Sequence, residues 1–467
     1  MAHLFISAAH KSSGKTTLSM GLCRALCDRH STVQAYKKGP DYIDPMWLAQ
    51  ATGRACYNLD FYTQSRQEIS QVFSSRGADA DICLIEGNKG LYDGLDLDGS
   101  NSNAALARLL GVPVVLVIDA RGMTRGIAPL ILGYQAFEPT IHIAGVILNQ
   151  LGGSRHESKL RAVIEHYTHV PVVGAVHRDP SLALVERHLG LMPSSETPQA
   201  EQLIQNIAAA VAAQVDLRAI KAIAGSAATI GQVQAINSRA PAISMSRPLR
   251  IAVAKDRAFG FYYPDDFDAL RRQGAELEFF DSLTDQRLPR ADALFIGGGF
   301  PETHLQPLQA NRAMRSAIAE AVHNGMPVYA ECGGLMYLSR SIQWQGETFE
   351  MVGCIGADVV MHDKPQGRGY VRLSETVHHP WPSEQGEEIV GHEFHYSSLV
   401  NRDPSFRYAY KVQRGFGISG KYDGVMVNNV LACYSHLRDT QRNHWTTRFI
   451  RFIQQCKSGA SKRSAGL

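Results

Sequence analysis

The sequence has no cysteine-rich segment, no long apolar run and no strong excess of one charge. Its eight cysteines are scattered over 467 residues and include no C-x-x-C pair, so neither a zinc ribbon nor a disulfide framework is indicated. No segment approaches the ~20 apolar residues of a membrane-spanning helix, and the first residues do not show the pattern of a secretory signal, so we expect none. The net charge of +3 indicates neither nucleic acid nor a membrane surface as partner. We expect a cytoplasmic protein with small-molecule partners.

Short apolar segments alternate with helix-length segments in the first half of the chain. Segments such as "HLFISAA" (3–9), "DICLIEG" (81–87) and "VPVVLVID" (112–119) are continuously apolar, which is typical of strands buried on both faces of a parallel sheet. The βαβα order predicts a doubly wound α/β sheet with ligands at the carboxyl ends of its strands. A second α/β series begins at "LRIAVAKD" (249–256).

These patterns divide the chain into two α/β domains, at 1–215 and 249–457. The intervening residues 216–248 lose periodicity and collect Ala, Ser, Gly and two prolines, which predicts a linker. Residues 458–467 form a basic end that we expect to be flexible.

The segment "AAHKSSGKTTLS" (8–19) predicts a phosphate-binding loop between a strand and a helix. It departs from G-x-x-x-x-G-K-[ST] only at Ala9, where the pattern has glycine. Backbone N–H groups and Lys15 would hold phosphates, and Thr16 would bind Mg²⁺. Asn149, at the end of another strand, suits adenine recognition, although a turn asparagine is the alternative. The predicted nucleotide-binding residues are Ser12, Ser13, Gly14, Lys15, Thr16, Thr17 and Asn149.

Acidic and basic side chains follow the neighbouring predicted strands. The segments "KKGPDYIDP" (37–45) and "LIEGNKGLYDG" (84–94) place four carboxylates at the same sheet edge as Thr16: Asp41, Asp44, Glu86 and Asp93. Such a cluster predicts a Mg²⁺ site and a substrate-positioning site. Capping of helices or turns is the alternative for some of these acids. Lys37 and Lys38 would contact phosphate or a carboxylate, unless they are solvated surface.

In the second domain, "PVYAECGGLMYLS" (327–339) resembles a nucleophile elbow, with a strand that runs into Cys332 and a helix that follows two glycines. The helix start is expected to lower the pKa of the thiol. A buried structural cysteine is the alternative. His436 in "CYSHLRD" (433–439) is the candidate base. Backbone amides in "IGGGFPE" (296–302) are candidate oxyanion donors, which involves Gly297, Gly298 and Gly299.

Together these segments resemble the cobyrinic acid a,c-diamide synthase family over nearly the whole chain. The resemblance is carried by "SSGKTT", "KKGPDYIDP", "GRACYNLD", "EGNKGLYDG", "RHLGLMPSSE", "FIGGGFPE", "AECGGLMYL", "GHEFHYS" and "SHLRD", in this order. It implies a P-loop ATP-binding domain of dethiobiotin-synthetase type, followed by a class I glutamine amidotransferase domain.

The resemblance also implies ATP- and glutamine-dependent amidation of the a and c carboxylates of a tetrapyrrole. Cobyrinate is the expected substrate, with sirohaem or nickel-sirohydrochlorin as alternatives, and a homodimer is left open. Cys332 would attack glutamine with His436 as base, and ATP with Mg²⁺ would activate the carboxylate. The implied glutamine pocket contains Gly297, Gly298, Gly299 and Gly333; the implied metal residues are Thr16, Asp41 and Glu86; the implied substrate-positioning residues are Lys38, Asp44, Lys89 and Asp93.

The sequence departs from this pattern at two places. Arg438 stands where many class I amidotransferases have the glutamate that orients the histidine, so another group must orient His436, or Cys332 and His436 act as a dyad. Lys89 lies in "GNKGLYDG", where an apolar residue is more familiar, and is a candidate partner for an extra carboxylate. A rival class, the P-loop ATPase switches, would need no glutaminase half, and Cys332 with His436 argues against it.

Overall fold

The computed structural model describes residues 2–187, 190–228, 247–382 and 388–464. The chain forms two compact units, Met1–Ile236 and Asn237–Leu467. The family motif at 187–196 lies partly outside the described residues.

The first unit is built from alternating strands and helices. Its strands are β1 (Ala2–Ala8), β2 (Val33–Lys38), β3 (Tyr57–Leu59), β4 (Ile82–Glu86), β5 (Val114–Asp119), β6 (Ile143–Leu151), β7 (Val172–His177), β8 (Glu186–Arg187) and β9 (Gly190–Leu191). Its helices are α1 (Lys15–Cys27), α2 (Ile43–Thr52), α3 (Arg66–Arg76), α4 (Asn103–Leu110), α5 (Ile127–Phe137), α6 (Ser154–Tyr167), α7 (Ala200–Gln214) and α8 (Leu217–Gly225), and a 3₁₀ turn spans Pro180–Leu182.

Seven parallel strands form the central sheet of this unit, in the order β3-β2-β4-β1-β5-β6-β7. Both faces are buried, because Leu4 and Ile6 of β1 pack into one apolar core and Phe5 into the other. The continuously apolar segments are therefore strands of a doubly wound sheet, as predicted. Strands β2, β4 and β1 are neighbours, so the loops that follow them meet at one sheet edge.

The second unit is richer in strands. They are β10 (Leu249–Ala254), β11 (Ala275–Phe280), β12 (Ala293–Ile296), β13 (Val328–Glu331), β14 (Ser339–Trp344), β15 (Glu347–Glu350), β16 (Ile355–Met361), β17 (Gly367–Glu375), β18 (Ile389–His395), β19 (Ser397–Val400), β20 (Arg407–Arg414), β21 (Tyr422–Val427) and β22 (Val430–Cys433). The helices are α9 (Pro264–Arg272), α10 (Leu305–Ala310), α11 (Arg312–His323), α12 (Gly333–Leu338) and α13 (Trp445–Ser464), and a 3₁₀ turn spans Pro301–His304.

Nine strands form the main sheet of this unit, in the order β11-β10-β12-β13-β22-β21-β20-β17-β18. The first five are parallel and the remaining four are antiparallel. A four-stranded sheet, β15-β14-β16-β19, accompanies it. Because β13 and β22 are adjacent and parallel, the residues that follow them lie at the same sheet edge.

The predicted linker was wrong in part, because it contains a helix, whereas the flexible end stays a prediction. Helix α8 lies inside the predicted linker and buries Leu217, Ile220 and Ala224 in the core of the first unit. Its apolar face is short, which is why the sequence pattern did not separate it from a linker. Residues 229–246 lie outside the described part. Helix α13 extends to Ser464, into the segment predicted to be flexible.

Among the residues that the structure describes, no helix combines the length and the apolar character that crossing a bilayer requires.

Candidate active sites

The predicted phosphate-binding loop connects β1 to α1. Gly14 has φ of 84° at the start of α1 and Ser12 has φ of 64°. A Cβ on residue 14 would lie 2.2 Å from Nδ2 of Asn149, so only glycine fits there. Ala9 is not among the residues with positive φ, so its methyl group causes no backbone strain. The alanine that breaks the sequence pattern is therefore compatible with the loop.

Asn149 fastens this loop from the end of β6. Its Nδ2 donates a hydrogen bond to the carbonyl of Ser13 over 2.9 Å, and the side chain is buried. The hydroxyl of Ser13 donates to the carbonyl of His10 over 2.8 Å. These contacts show a loop-holding role for Asn149, whereas adenine recognition stays a prediction.

Lys15 and Thr16 begin α1 and face the acidic edge of the sheet. The hydroxyl of Thr16 donates to Oε1 of Glu86 over 2.8 Å. Burial and the nearby Lys37 ammonium lower the pKa of Lys15 to about 8, while Glu86 acts in the opposite direction. An additional anion beside Lys15 would stabilise its charged form. This is the electrostatic setting expected of a phosphate-binding lysine.

Lys37 is the buried centre of an ionic cluster at this edge. Its Nζ lies 2.8 Å from Oε1 of Glu86, makes a short contact with Asp44 and is 3.9 Å from Asp41. Burial opposes the charge of Lys37, but Asp44 and Glu86 outweigh it and raise the pKa of Lys37. The alternative of a solvated Lys37 is therefore wrong.

The carboxylate of Asp41 accepts backbone hydrogen bonds at the start of α2. Its Oδ1 accepts the N–H groups of Ile43 and Asp44, over 2.9 and 3.2 Å, at the start of α2. Asn58 holds the same loop by donating to the carbonyls of Gly39 and Asp41, over 2.8 and 2.7 Å. The capping alternative thus describes Asp41, and a direct metal contact from it stays a prediction.

Glu86 and Thr16 fit a Mg²⁺ site. Oε2 of Glu86 is buried and has no hydrogen-bond partner among the described residues, which makes it a candidate metal ligand beside the loop. No three His, Cys, Asp or Glu side chains in the described part are placed to hold a metal together. This is compatible with Mg²⁺, which keeps several waters and binds through one or two protein groups plus phosphate oxygens.

The remaining predicted substrate-positioning residues are Asp93, Lys38 and Lys89, and each has a different environment. Asp93 accepts the N–H of Gly90 over 2.8 Å and so stabilises its own turn. Lys38 is buried and donates to Oδ1 of Asn88 over 3.3 Å. Burial lowers the pKa of Lys38 to about 8, with Asp60 acting in the opposite direction. Lys89 is exposed, with φ of 38°.

In the second unit, Cys332 lies on a strained turn between β13 and α12. Its φ and ψ are 45° and −100°, which is a sparsely populated region for a residue with a side chain. Its N–H donates to the carbonyl of Cys433 over 2.7 Å, and its own carbonyl accepts the N–H of Met336. This is the geometry of a nucleophile elbow.

The predicted low pKa of this thiol was wrong. Burial, followed by the carboxylate of Glu302, raises the pKa of Cys332, and the N–H of Gly333 opposes this too weakly. Helix α12 has only six residues, and Cys332 is 6% exposed, so loss of solvation dominates. A neighbouring base must therefore take the proton when the thiol reacts.

His436 lies at the same sheet edge, three residues after β22. Its N–H and carbonyl exchange hydrogen bonds with those of His392, over 2.8 and 3.2 Å. The two imidazoles stack, with their centroids 4.9 Å apart. Nδ1 of His436 lies 3.4 Å from Oε2 of Glu331, the residue that precedes Cys332. The structure thus brings His436 beside Glu331, the residue that precedes the nucleophile. Sγ of Cys332 itself lies 3.9 Å from the carbonyl oxygen of Phe394.

The predicted glycines pack against the elbow and the histidine. A Cβ on Gly298 would lie 2.5 Å from Cε1 of His436, and one on Gly333 would lie 3.1 Å from the amide nitrogen of Gly299. The N–H of Gly297 donates to the hydroxyl of Tyr262 over 2.9 Å. The N–H of Gly297 therefore already donates to a structural partner, contrary to the prediction that it donates to an oxyanion.

Comparisons with known proteins agree with this two-site arrangement. Residues 250–444 match the model of the CobB/CobQ-like glutamine amidotransferase domain, and residues 2–186 match an AAA domain. The cobyrinate a,c-diamide synthase of Magnetococcus marinus is 43% identical to this chain, over 97% of each protein. The chain belongs to the cobyrinate a,c-diamide synthase family.

Two archaeal members of the family show similar agreement. The synthase of Methanosarcina acetivorans is 41% identical over 93% of this chain and 92% of its own length, and that of Archaeoglobus fulgidus is 39% identical over 96% of each. The family predicted from the sequence motifs is therefore confirmed.

Sequence reasoning missed Glu331 in this family member. A signal was present, because the acid directly precedes the candidate nucleophile in "AECGG", and strand alternation places it on the same face as Tyr329. The contact with His436 depends on the pairing of β13 with β22, which no local pattern reveals. His392 was also missed as a ring partner of His436, because the backbone bridge between these two residues joins distant parts of the chain.

Proposed function

We propose that this chain catalyses the ATP- and glutamine-dependent amidation of the a and c side-chain carboxylates of cobyrinate. The observation that carries the proposal is the strained Cys332 elbow with His436 at the same sheet edge, on a chain that also has a P-loop beside a cluster of acidic side chains. The substrate rests on the names of the relatives, which do not favour sirohaem or nickel-sirohydrochlorin.

In the glutaminase half, the Sγ of Cys332 attacks the side-chain amide carbon of glutamine. His436 takes the thiol proton and passes it to the departing nitrogen, which leaves as ammonia while a glutamyl thioester remains. Water then hydrolyses the thioester, giving glutamate and restoring the thiol. Because burial raises the pKa of Cys332, this proton transfer to His436 is an essential part of the attack. Amides near Gly298 and Gly299 are the candidate oxyanion donors.

In the P-loop half, the γ-phosphoryl group of ATP passes to a substrate carboxylate oxygen, giving an acyl phosphate and ADP. Ammonia attacks the acyl carbon, and inorganic phosphate leaves as the amide forms and a proton is released. Phosphorylation is needed because a carboxylate oxygen is a poor leaving group. Lys15 and the loop amides would bind the phosphates, and Lys38 and Lys89 are the proposed partners of substrate carboxylates.

Mg²⁺ is part of this proposal. Thr16 and Glu86 would hold the ion, which when bound neutralises phosphate charge. Asp41 and Asp44 support this site through the loop and Lys37. A homodimer and a cytoplasmic location remain predictions of the same proposal.

Two variants of the full-length protein test the proposal. Cys332→Ser should lose glutamine-dependent amidation and keep ammonia-dependent amidation, because only the release of ammonia requires the thiol. Lys15→Ala should lose amidation from either nitrogen source and keep glutaminase activity. Products from cobyrinate, ATP and ¹⁵N-amide glutamine are measured by mass spectrometry. Equal loss of both nitrogen sources in Cys332→Ser would contradict the proposed division between the two halves.

A further inference from the structure

His436 lacks the orienting glutamate that many class I amidotransferases have, because that position is Arg438 in this chain. In those enzymes the glutamate stands two residues after the histidine. The guanidinium of Arg438 donates to Asp265 over 2.5 Å and lies 5.0 Å above the ring centre of Tyr263. Arg438 is thus engaged with α9 and its N-terminal neighbour.

Glu331 is held firmly beside the imidazole. Its side chain is 4% exposed, and Oε1 accepts the hydroxyl of Tyr329 over 2.6 Å and the N–H of Leu437 over 2.9 Å. These two bonds leave Oε2 toward His436, at 3.4 Å from Nδ1. The contact is longer than a usual N–H···O bond of about 2.9 Å, and catalytic hydrogen bonds commonly tighten when substrate is bound.

Two further neighbours of His436 are His392, which stacks on the face of the ring, and Gly298, which lies at its Cε1 edge. His392 stacks on the imidazole and pairs with the backbone of residue 436. Gly298 leaves room at Cε1. Neither contact selects which ring nitrogen carries the proton.

We infer that Glu331 is the positioning residue for His436, and that it holds the proton on Nδ1 so that Nε2 can accept the proton of the Cys332 thiol. The inference rests on the proposed glutaminase function. It means that the acid of this Cys-His-Glu arrangement comes from the residue before the nucleophile. Strand β13 therefore supplies both the acid and the cysteine, and the loop after β22 supplies the base.

Glu331→Gln is the sharpest test. The amide oxygen can still accept from Tyr329 and Leu437, while the NH₂ group would face Nδ1 and favour the tautomer with the proton on Nε2. We expect glutaminase kcat to fall by about 10²–10⁴-fold, with KM changed by less than about twofold. Ammonia-dependent amidation should be unchanged. The ¹⁵N resonances of the His436 imidazole should report the change of tautomer.

A second variant controls for folding. Glu331→Asp keeps the charge at a greater distance and should restore part of kcat relative to Glu331→Gln. Thermal unfolding and ammonia-dependent amidation show whether each variant folds. Glutaminase kcat within threefold of wild type in Glu331→Gln, or an unchanged tautomer, would overturn the inference. If Cys332→Ser also retained glutaminase activity, the proposed function itself would fail, so the two failures are distinguishable.

Discussion

Nζ of Lys37 lies 2.8 Å from Oε1 of Glu86, and the two residues are direct neighbours in the register of β2 and β4. This cross-strand pair places a positive charge against the carboxylate that also accepts the hydroxyl of Thr16. The pair therefore links the acidic edge of the sheet to the start of the phosphate-binding helix.

The first prediction concerns the stability that this pair supplies. Lys37→Met should destabilise the first unit by about 3–5 kcal/mol near pH 7, because the buried carboxylate of Glu86 and the partly buried carboxylate of Asp44 lose their common cation. The loss should shrink at acidic pH, where Glu86 and Asp44 take up protons. Urea unfolding at two pH values measures it. Lys159→Met, at an exposed position of α6, should change stability by less than about 0.5 kcal/mol. Equal effects from both variants would contradict the prediction.

The second prediction concerns the loss of folding stability that the burial of Lys15 causes. The pKa of Lys15 is lowered to about 8, so between about pH 8 and 10.5 the unfolded chain binds more protons than the folded chain. The penalty from this group is therefore complete below about pH 8 and is relieved as the pH rises. Lys15→Met should stabilise the protein without nucleotide near pH 7, by on the order of 1–3 kcal/mol.

Unfolding curves near pH 7 and pH 10 check this expectation. The advantage of Lys15→Met over wild type should be smaller at the higher pH. A variant less stable than wild type at neutral pH would show that the burial of Lys15 carries no such penalty.

The third prediction separates two roles for Asn149. If its main role is to hold the loop through Ser13, Asn149→Ala should weaken ATP and GTP binding by the same factor, because the phosphates are common to both. We expect about a tenfold loss for each, the size of one hydrogen bond near 1.4 kcal/mol. Isothermal titration calorimetry with the two nucleotides measures it. A loss confined to ATP would instead support adenine recognition.

The fourth prediction concerns the space around the base. Gly298→Ala should displace the imidazole of His436, since the new Cβ would lie 2.5 Å from Cε1. Glutaminase kcat should fall at least about tenfold, a barrier increase of ~1.4 kcal/mol, while ammonia-dependent amidation is retained. Gly133→Ala adds the same methyl group where no atom lies within 4 Å and serves as control. Unchanged glutaminase activity in Gly298→Ala would show that the ring tolerates displacement.

The sequence by itself determined the parallel sheet of the first unit, the phosphate-binding loop and the cysteine elbow. These depend on local order: continuous apolar strands, a glycine at the start of α1, and glycines directly after Cys332. The family also followed from such short motifs. Local patterns did not predict α8, because the sequence of a short helix beside Ala, Ser and Gly residues resembles that of a linker.

Only the tertiary structure decided which groups meet across strands. It paired Lys37 with Glu86, set Asn149 against the loop, and placed Glu331 beside His436, although about a hundred residues separate the last two. It also reversed the expected pKa shift of Cys332, because burial depends on everything packed around the thiol. Strand register and solvent exclusion belong to the folded whole, so no run of neighbouring residues could specify them.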